Sequence, residues 1–265
     1  MVAVGGAIGG REGMLMAFVF ACITNLGSYW FSSSIALSMS GAQPVSREQA
    51  PELYEIVERI AARAKIPAPP IYIIPTPTPN AFATGRDPQH AAVAVTEGIL
   101  QMLNATELEA VLSHELGHVR NHDVLIATIA AVLASVITTI AHWGMYFGGG
   151  RSDDRENSNP VFMLLLIILA PIAASLINLA VSRSREYEAD ATGAQLCGHP
   201  LALASALAKI EEASYAMPMR GNPALSSLYI MKPDPQSWFV NIFSTHPPTD
   251  ERIKRLKEMA AKMRG

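Results

Sequence analysis

Two stretches of this chain carry no charged residue over a length that matches a lipid bilayer. Pro160 to Val181, PVFMLLLIILAPIAASLINLAV, would be about 33 Å long as a helix, against a hydrocarbon core of about 30 Å. Val124 to Phe147, VLIATIAAVLASVITTIAHWGMYF, is equally uncharged and ends near Trp143 and Tyr146, residue types that favour the membrane–water boundary. A more dilute run lies between Gly13 and Met39, interrupted by Asn25, Ser28 and a serine cluster. Apolar runs beyond about 18 residues favour the membrane over a buried core helix. Lipid cannot satisfy backbone polar groups, so each run must form a helix. The sequence therefore predicts transmembrane segments at 13–39, 124–147 and 160–182.

The remaining sequence is soluble in character. Only 16% of the chain is charged, below the roughly one quarter usual for soluble domains, and the apolar runs account for the deficit. A net charge of −3 and the lack of a basic stripe argue against nucleic acid as a partner. Cys22 and Cys197 are too few and too far apart for a disulfide framework or a cysteine zinc site, and read as free thiols in a reducing compartment. The lysine and arginine excess lies on the side holding Arg47 to Arg120 and the C-terminal tail. That side is predicted to be cytoplasmic, with the polar loop GGGRSDDRENSNP outside. Three spans then leave Met1 outside as well, although MVAVGGAIGGRE has no basic start and is not a complete signal peptide. Segments 42–123 and 183–265 are expected to form the two parts of one catalytic domain.

Leu53, Ile56, Val57 and Ile60 recur at helical spacing within APELYEIVERIAARAK, which predicts an amphipathic helix ended by Pro67. PIYIIP, NAFATG and the start of AAVAVTEGIL read as short strands before a helix, a small α+β layer. Prolines beside Asn80 point to an edge strand, whose unpaired amides take an extended peptide or are simply a protected edge. Thr106 is predicted to start the next helix through a T-E-L-E capping box with Glu109. Leu108, Val111, Leu112 and Leu116 give that helix its apolar stripe.

The same helix carries His114-Glu115-Leu116-Gly117-His118. Two histidines one helical turn apart project from one side and converge on one ion. Glu115 is placed to take a proton from a bound water rather than to bind the metal. A third protein ligand is needed. His122 continues the spacing, but a straight helix puts it about 12 Å along the axis from His114, too far to share the ion. Glu186, in SRSREYEADATGA after the last apolar run, is the better candidate. Asp190 shares its helical face and is placed to accept the remaining N–H of a ligating histidine, while Glu188 points away.

HELGH followed by EYEAD resembles the HtpX-type membrane zinc metalloproteases. The segments YIIPTPTPNAFATGRDP, AVAVTEGIL, LEAVLSHELGHVRNHD, SRSREYEADATGA and THPPTDERI are similar to that family in order. The resemblance implies a mainly α fold with a small β-sheet (α+β), an integral membrane protein with a zincin-like HExxH/Glu catalytic domain. It implies a zinc-dependent endopeptidase of the bacterial inner membrane, with one zinc ion per chain and its active site facing the cytoplasm. Misfolded or damaged membrane proteins and unfolded polypeptides are the implied substrates, in a quality-control role. His114, His118 and Glu186 are then the ligands and Glu115 the catalytic base. Asn80, Ala81, Phe82 and Ala83 match the strand that holds substrate backbone, and His246 matches a residue that helps stabilise the tetrahedral intermediate. The family usually begins with a further apolar helix, and this chain starts near where that helix would end.

Three other readings are weaker. A CAAX-prenyl-protease-like chamber needs more spans than the three found. An intramembrane protease would bury HExxH in an apolar run, whereas Glu107, Glu109, Arg120, Asn121 and Asp123 flank it here. A non-proteolytic membrane scaffold with a structural metal would need a fourth protein ligand, and none is evident.

Overall fold

The computed structural model describes residues 2–148, 160–216 and 247–264. It divides into two units, Met1–Tyr29 with Ile126–Val181, and Trp30–Leu125 with Ser182–Gly265.

The first unit is helical. Helix α1 (Val2–Trp30) leaves helical geometry at Gly9 and Gly10, where Gly10 takes φ 58°, a value glycine adopts without cost. The two arms of this turn approach so closely that a Cβ on Gly5 would collide with the Gly13 carbonyl. The apolar stretches Val4–Trp30 and Asp123–Ile140 have mean hydropathies of 1.4 and 2.2, and only 17% and 11% of their most apolar 18-residue windows are buried. So little burial distinguishes them from the core helices of a soluble protein. Their polar side chains are satisfied locally: Asn25 Nδ2 donates to the Ala21 carbonyl at 2.8 Å, and Ser135, Thr138 and Thr139 donate to carbonyls four residues back. Asp123–Ile140 is the start of α6 (Asp123–Gly148), and α7 (Pro160–Cys197) carries the third apolar run in its first half.

The structure divides the expected first span. The long apolar helix ends at Trp30, and Ser32–Ser40 forms a separate helix, α2. Phe31 breaks the helical path with φ −104° and ψ 17°, and buried Ala36 docks α2 on the sheet with Ile74, Phe82 and Ala94.

The second unit contains β1 (Gln43–Pro44), α3 (Pro51–Ala64), β2 (Ile71–Ile74), β3 (Ala81–Thr84), a 3₁₀ turn (Pro88–His90), β4 (Ala92–Thr96), α4 (Glu97–Met102) and α5 (Ala105–Arg120). The second half of α7, then α8 (Pro200–Ala216) and α9 (Thr249–Arg264), complete it. The strands are ordered β1-β2-β4-β3, with only β2 and β4 parallel. The two-residue β1 carries no sequence signal of its own. Strand β3 lies at the edge, as the prolines before it suggest.

Alternation sends Ile71, Val93 and Val95 to one face of the sheet, where they join Val57 and Ile60 of α3, Leu112 and Leu116 of α5, Leu203 and Leu207 of α8 and Leu256 of α9. Each such side chain contributes roughly 1.5–3 kcal/mol on burial, which fixes α5 against the sheet.

Helix α5 starts two residues earlier than expected. Its N-cap is Asn104, whose side chain accepts from Glu107 N, while Glu107 accepts from Asn104 N. This box prevails because Glu109 is engaged elsewhere, pairing with Arg59 and Arg63 of α3.

Candidate metal centre

Helix α5 presents His114, Glu115 and His118, and α7 presents Glu186 and Asp190. The helices can meet there because position 193 has no side chain. A Cβ on Gly193 would stand 2.8 Å from both the Cα and the N of His114. A Cβ on Gly117 would meet the Ala189 carbonyl at 3.3 Å, a milder conflict, so Gly117 serves helix contact rather than leaving room for an ion.

This contact draws one ligand atom from each of His114, His118 and Glu186 to within 4.8 Å of the others. The two histidine Nε2 atoms are 3.1 Å apart, and the Glu186 carboxylate lies 3.7 Å from His114 Nε2 and 3.6 Å from His118 Nε2. Ligands about 2.0–2.1 Å from a tetrahedral ion stand roughly 3.3 Å apart, so the set fits a small divalent cation. With three protein donors one position stays open, and this is the only such group among the described residues. The expected rival, His122, is exposed at the break after α5 with φ 57° and takes no part.

Each histidine turns its other nitrogen to a carboxylate. His114 Nδ1 lies 3.0 Å from Asp190 Oδ1, and His118 Nδ1 lies 2.6 Å from Asp123 Oδ2. A carboxylate only accepts, so it holds the proton on Nδ1 and leaves the Nε2 lone pair for the ion. Burial disfavours a charged His118, but the Asp123 hydrogen bond and the charges of Glu186 and Glu115 outweigh it and raise its pKa to about 9. A cation binding there must therefore displace a proton.

Sequence reasoning missed Arg252. Its side chain is only 2% exposed, an unusual position for an arginine, and residue type alone gave no signal. Its Nε and one terminal nitrogen donate to Asp190 at 2.9 and 2.7 Å, and the other terminal nitrogen lies 3.3 Å from Glu186. Burial opposes ionisation of Asp190, but the Arg252 charge prevails and holds its pKa at about 2.

Glu115 is buried beside this cluster, and its Oε2 accepts from the backbone N–H of Ala83 at 3.1 Å. Asn80, just before β3, and Ala81 and Phe82 within it are nearly fully buried, and Ala83 is partly exposed. Asn80 is further locked by Thr96, whose Oγ1 accepts from Asn80 N at 2.8 Å and donates to its carbonyl at 3.0 Å. His246 lies outside the described residues.

A histidine pair and a glutamate brought together from two helices, with a second glutamate at their side and long exposed apolar helices in the same chain, define a zincin-like membrane metallopeptidase. Residues 47–260 match peptidase family M48, and the chain belongs to that family. It is 54% identical to "Protease HtpX homolog" of Pyrococcus furiosus, over 99% of this chain and 92% of the relative. It is 50% identical to the protein of the same name from Aquifex aeolicus, over 99% and 89%. The fold is similar to that in the crystal structure of S. mikatae Ste24p, with a TM-score of 0.59 and 20% identity; the match covers 96% of this chain and 64% of that one.

Proposed function

We propose that the chain is a zinc-dependent endopeptidase that cleaves misfolded or damaged membrane proteins, working on the cytoplasmic face of the bacterial inner membrane. Segments 42–123 and 183–265 make its catalytic domain, and the apolar runs of α1, 124–147 and 160–182 anchor it. The observation that carries the reading is the meeting of His114, His118 and Glu186 at separations suited to a tetrahedral ion, with Glu115 beside them.

In this reading His114, His118 and Glu186 bind one zinc ion. Zinc supplies Lewis-acid chemistry, lowering the pKa of a water to about 7 and polarising a carbonyl. Glu115 takes the proton of the attacking water and returns it to the departing amine. The Ala83 amide fixes the carboxylate through that exchange. Asp190 holds the His114 ring, and Arg252 offsets part of the negative charge that Asp190 and Glu186 bring into a buried site. Asn80 and the first three residues of β3, Ala81, Phe82 and Ala83, are assigned to the substrate backbone. His246 is assigned to the developing oxyanion on the family resemblance alone.

The test is hydrolysis of an unfolded protein by the detergent-solubilised chain. Activity should vanish with a chelator and return with zinc. Cleavage that persists without metal would end the proposal.

A further inference from the structure

We propose that Asp123 positions His118 as a metal ligand and that Arg185 in turn holds Asp123. The inference rests on reading His118 as a ligand. Asp123 Oδ2 lies 2.6 Å from His118 Nδ1, and Asp123 Oδ1 lies 3.2 Å from a terminal nitrogen of Arg185. The first histidine has the same arrangement, with Asp190 on its Nδ1 and Arg252 on Asp190. Each imidazole is thus backed by a carboxylate, and each carboxylate by an arginine.

The backbone makes the second relay possible. Five residues along a straight helix is a rotation of about 140°, which would point Asp123 away from His118. Helix α5 ends at Arg120, His122 takes φ 57°, and α6 begins at Asp123. A residue other than glycine adopts that φ only at a cost, and here the turn returns a carboxylate to the ligand ring. Asn121, within the same break, donates to Thr192 Oγ1 of α7 at 3.3 Å. Asp123 is 8% exposed, so its charge is neutralised by these partners more than by water. Because Asp123 opens α6 and Arg185 belongs to α7, one carboxylate ties the ligand to both helices.

Zinc affinity of the full chain in detergent, measured by competition with a chromophoric chelator, tests the relay. H118A should lose stoichiometric zinc, which checks the ligand reading separately. D123A should weaken affinity about 10–100-fold, as removal of such a partner does. D123N should weaken it less, because the amide oxygen still accepts from Nδ1. R185M should fall between D123N and the unaltered chain. The visible absorption of Co²⁺ bound in place of zinc should change in D123N, a signature that a helix-start role for Asp123 would not move. H122G should bind zinc normally, since the turn and not the imidazole is needed. Unaltered zinc affinity and an unaltered Co²⁺ spectrum in D123N, with zinc lost in H118A, overturn the relay alone; D123N decides even if D123A fails to fold. Zinc retained by H118A overturns the ligand reading and the relay with it.

Discussion

The backbone amide of Ala83 donates to the carboxylate of Glu115 at 3.1 Å, joining the edge strand of the sheet to the helix that carries both histidines. The partner is a main-chain group, so a side-chain substitution at position 83 leaves it in place. The contact fixes one oxygen of Glu115 beside the His114, His118 and Glu186 cluster.

Glu115→Gln keeps an oxygen that can accept from Ala83 and leaves the three ligands untouched. Zinc content should match that of the unaltered chain, while hydrolysis falls by about 10² or more. Metal analysis beside a cleavage assay reads both, and near-normal cleavage by a zinc-loaded variant would remove Glu115 as the base.

Glu186→Ala should lose zinc as fully as His118→Ala, because each takes one of three donors. His122→Ala should keep it. Full occupancy in Glu186→Ala with loss in His122→Ala would reverse the assignment.

Gly193→Ala places a Cβ 2.8 Å from two backbone atoms of His114, which cannot swing aside as a side chain can. Helix α7 must move from α5 and take Glu186 with it. Stability should fall by about 1–3 kcal/mol, with weaker zinc binding. Gly117→Ala, with its nearest conflict at 3.3 Å, should cost less. Equal effects in thermal melts and zinc titrations would contradict the distance argument.

His118 has its pKa raised to about 9 in the metal-free chain. Its contribution to metal-free stability is full below the unfolded value of about 6.5 and is lost as pH rises through about 9. Zinc affinity should move the other way, rising with pH up to about 9 as the proton to be displaced becomes scarce. Calorimetric titration in buffers of different ionisation enthalpy should detect proton release at pH 7. Proton-neutral binding there would mean that His118 is already neutral.

Reporter fusions address topology. A fusion after Gly41 should read cytoplasmic and one after Gly150 external. The reverse pattern would put the catalytic domain on the other side of the membrane.

By itself the sequence determined the features that depend on chain-local rules. Uncharged runs of bilayer length, the amphipathic period of α3, the strand-like stretches around the prolines and the one-turn spacing of His114 and His118 all follow from helix and strand geometry and solvent preference. Glu186 and Asp190 were legible as a pair for the same reason, four residues apart on one helix face. Tertiary structure decided what depends on groups far apart in sequence or out of register. Arg252 reaches the site only because α9 packs on α8 and buries its guanidinium between Asp190 and Glu186. Asp123 reaches His118 only because the helix breaks at His122, which takes a positive φ, and continuous helical spacing would have pointed the carboxylate away. Asn104 displaced Thr106 as the cap once α3 had claimed Glu109, a competition settled by packing. Gly193 reads as one more small residue in a helix until α5 lies against it, because the need for a missing Cβ exists only where a second backbone arrives.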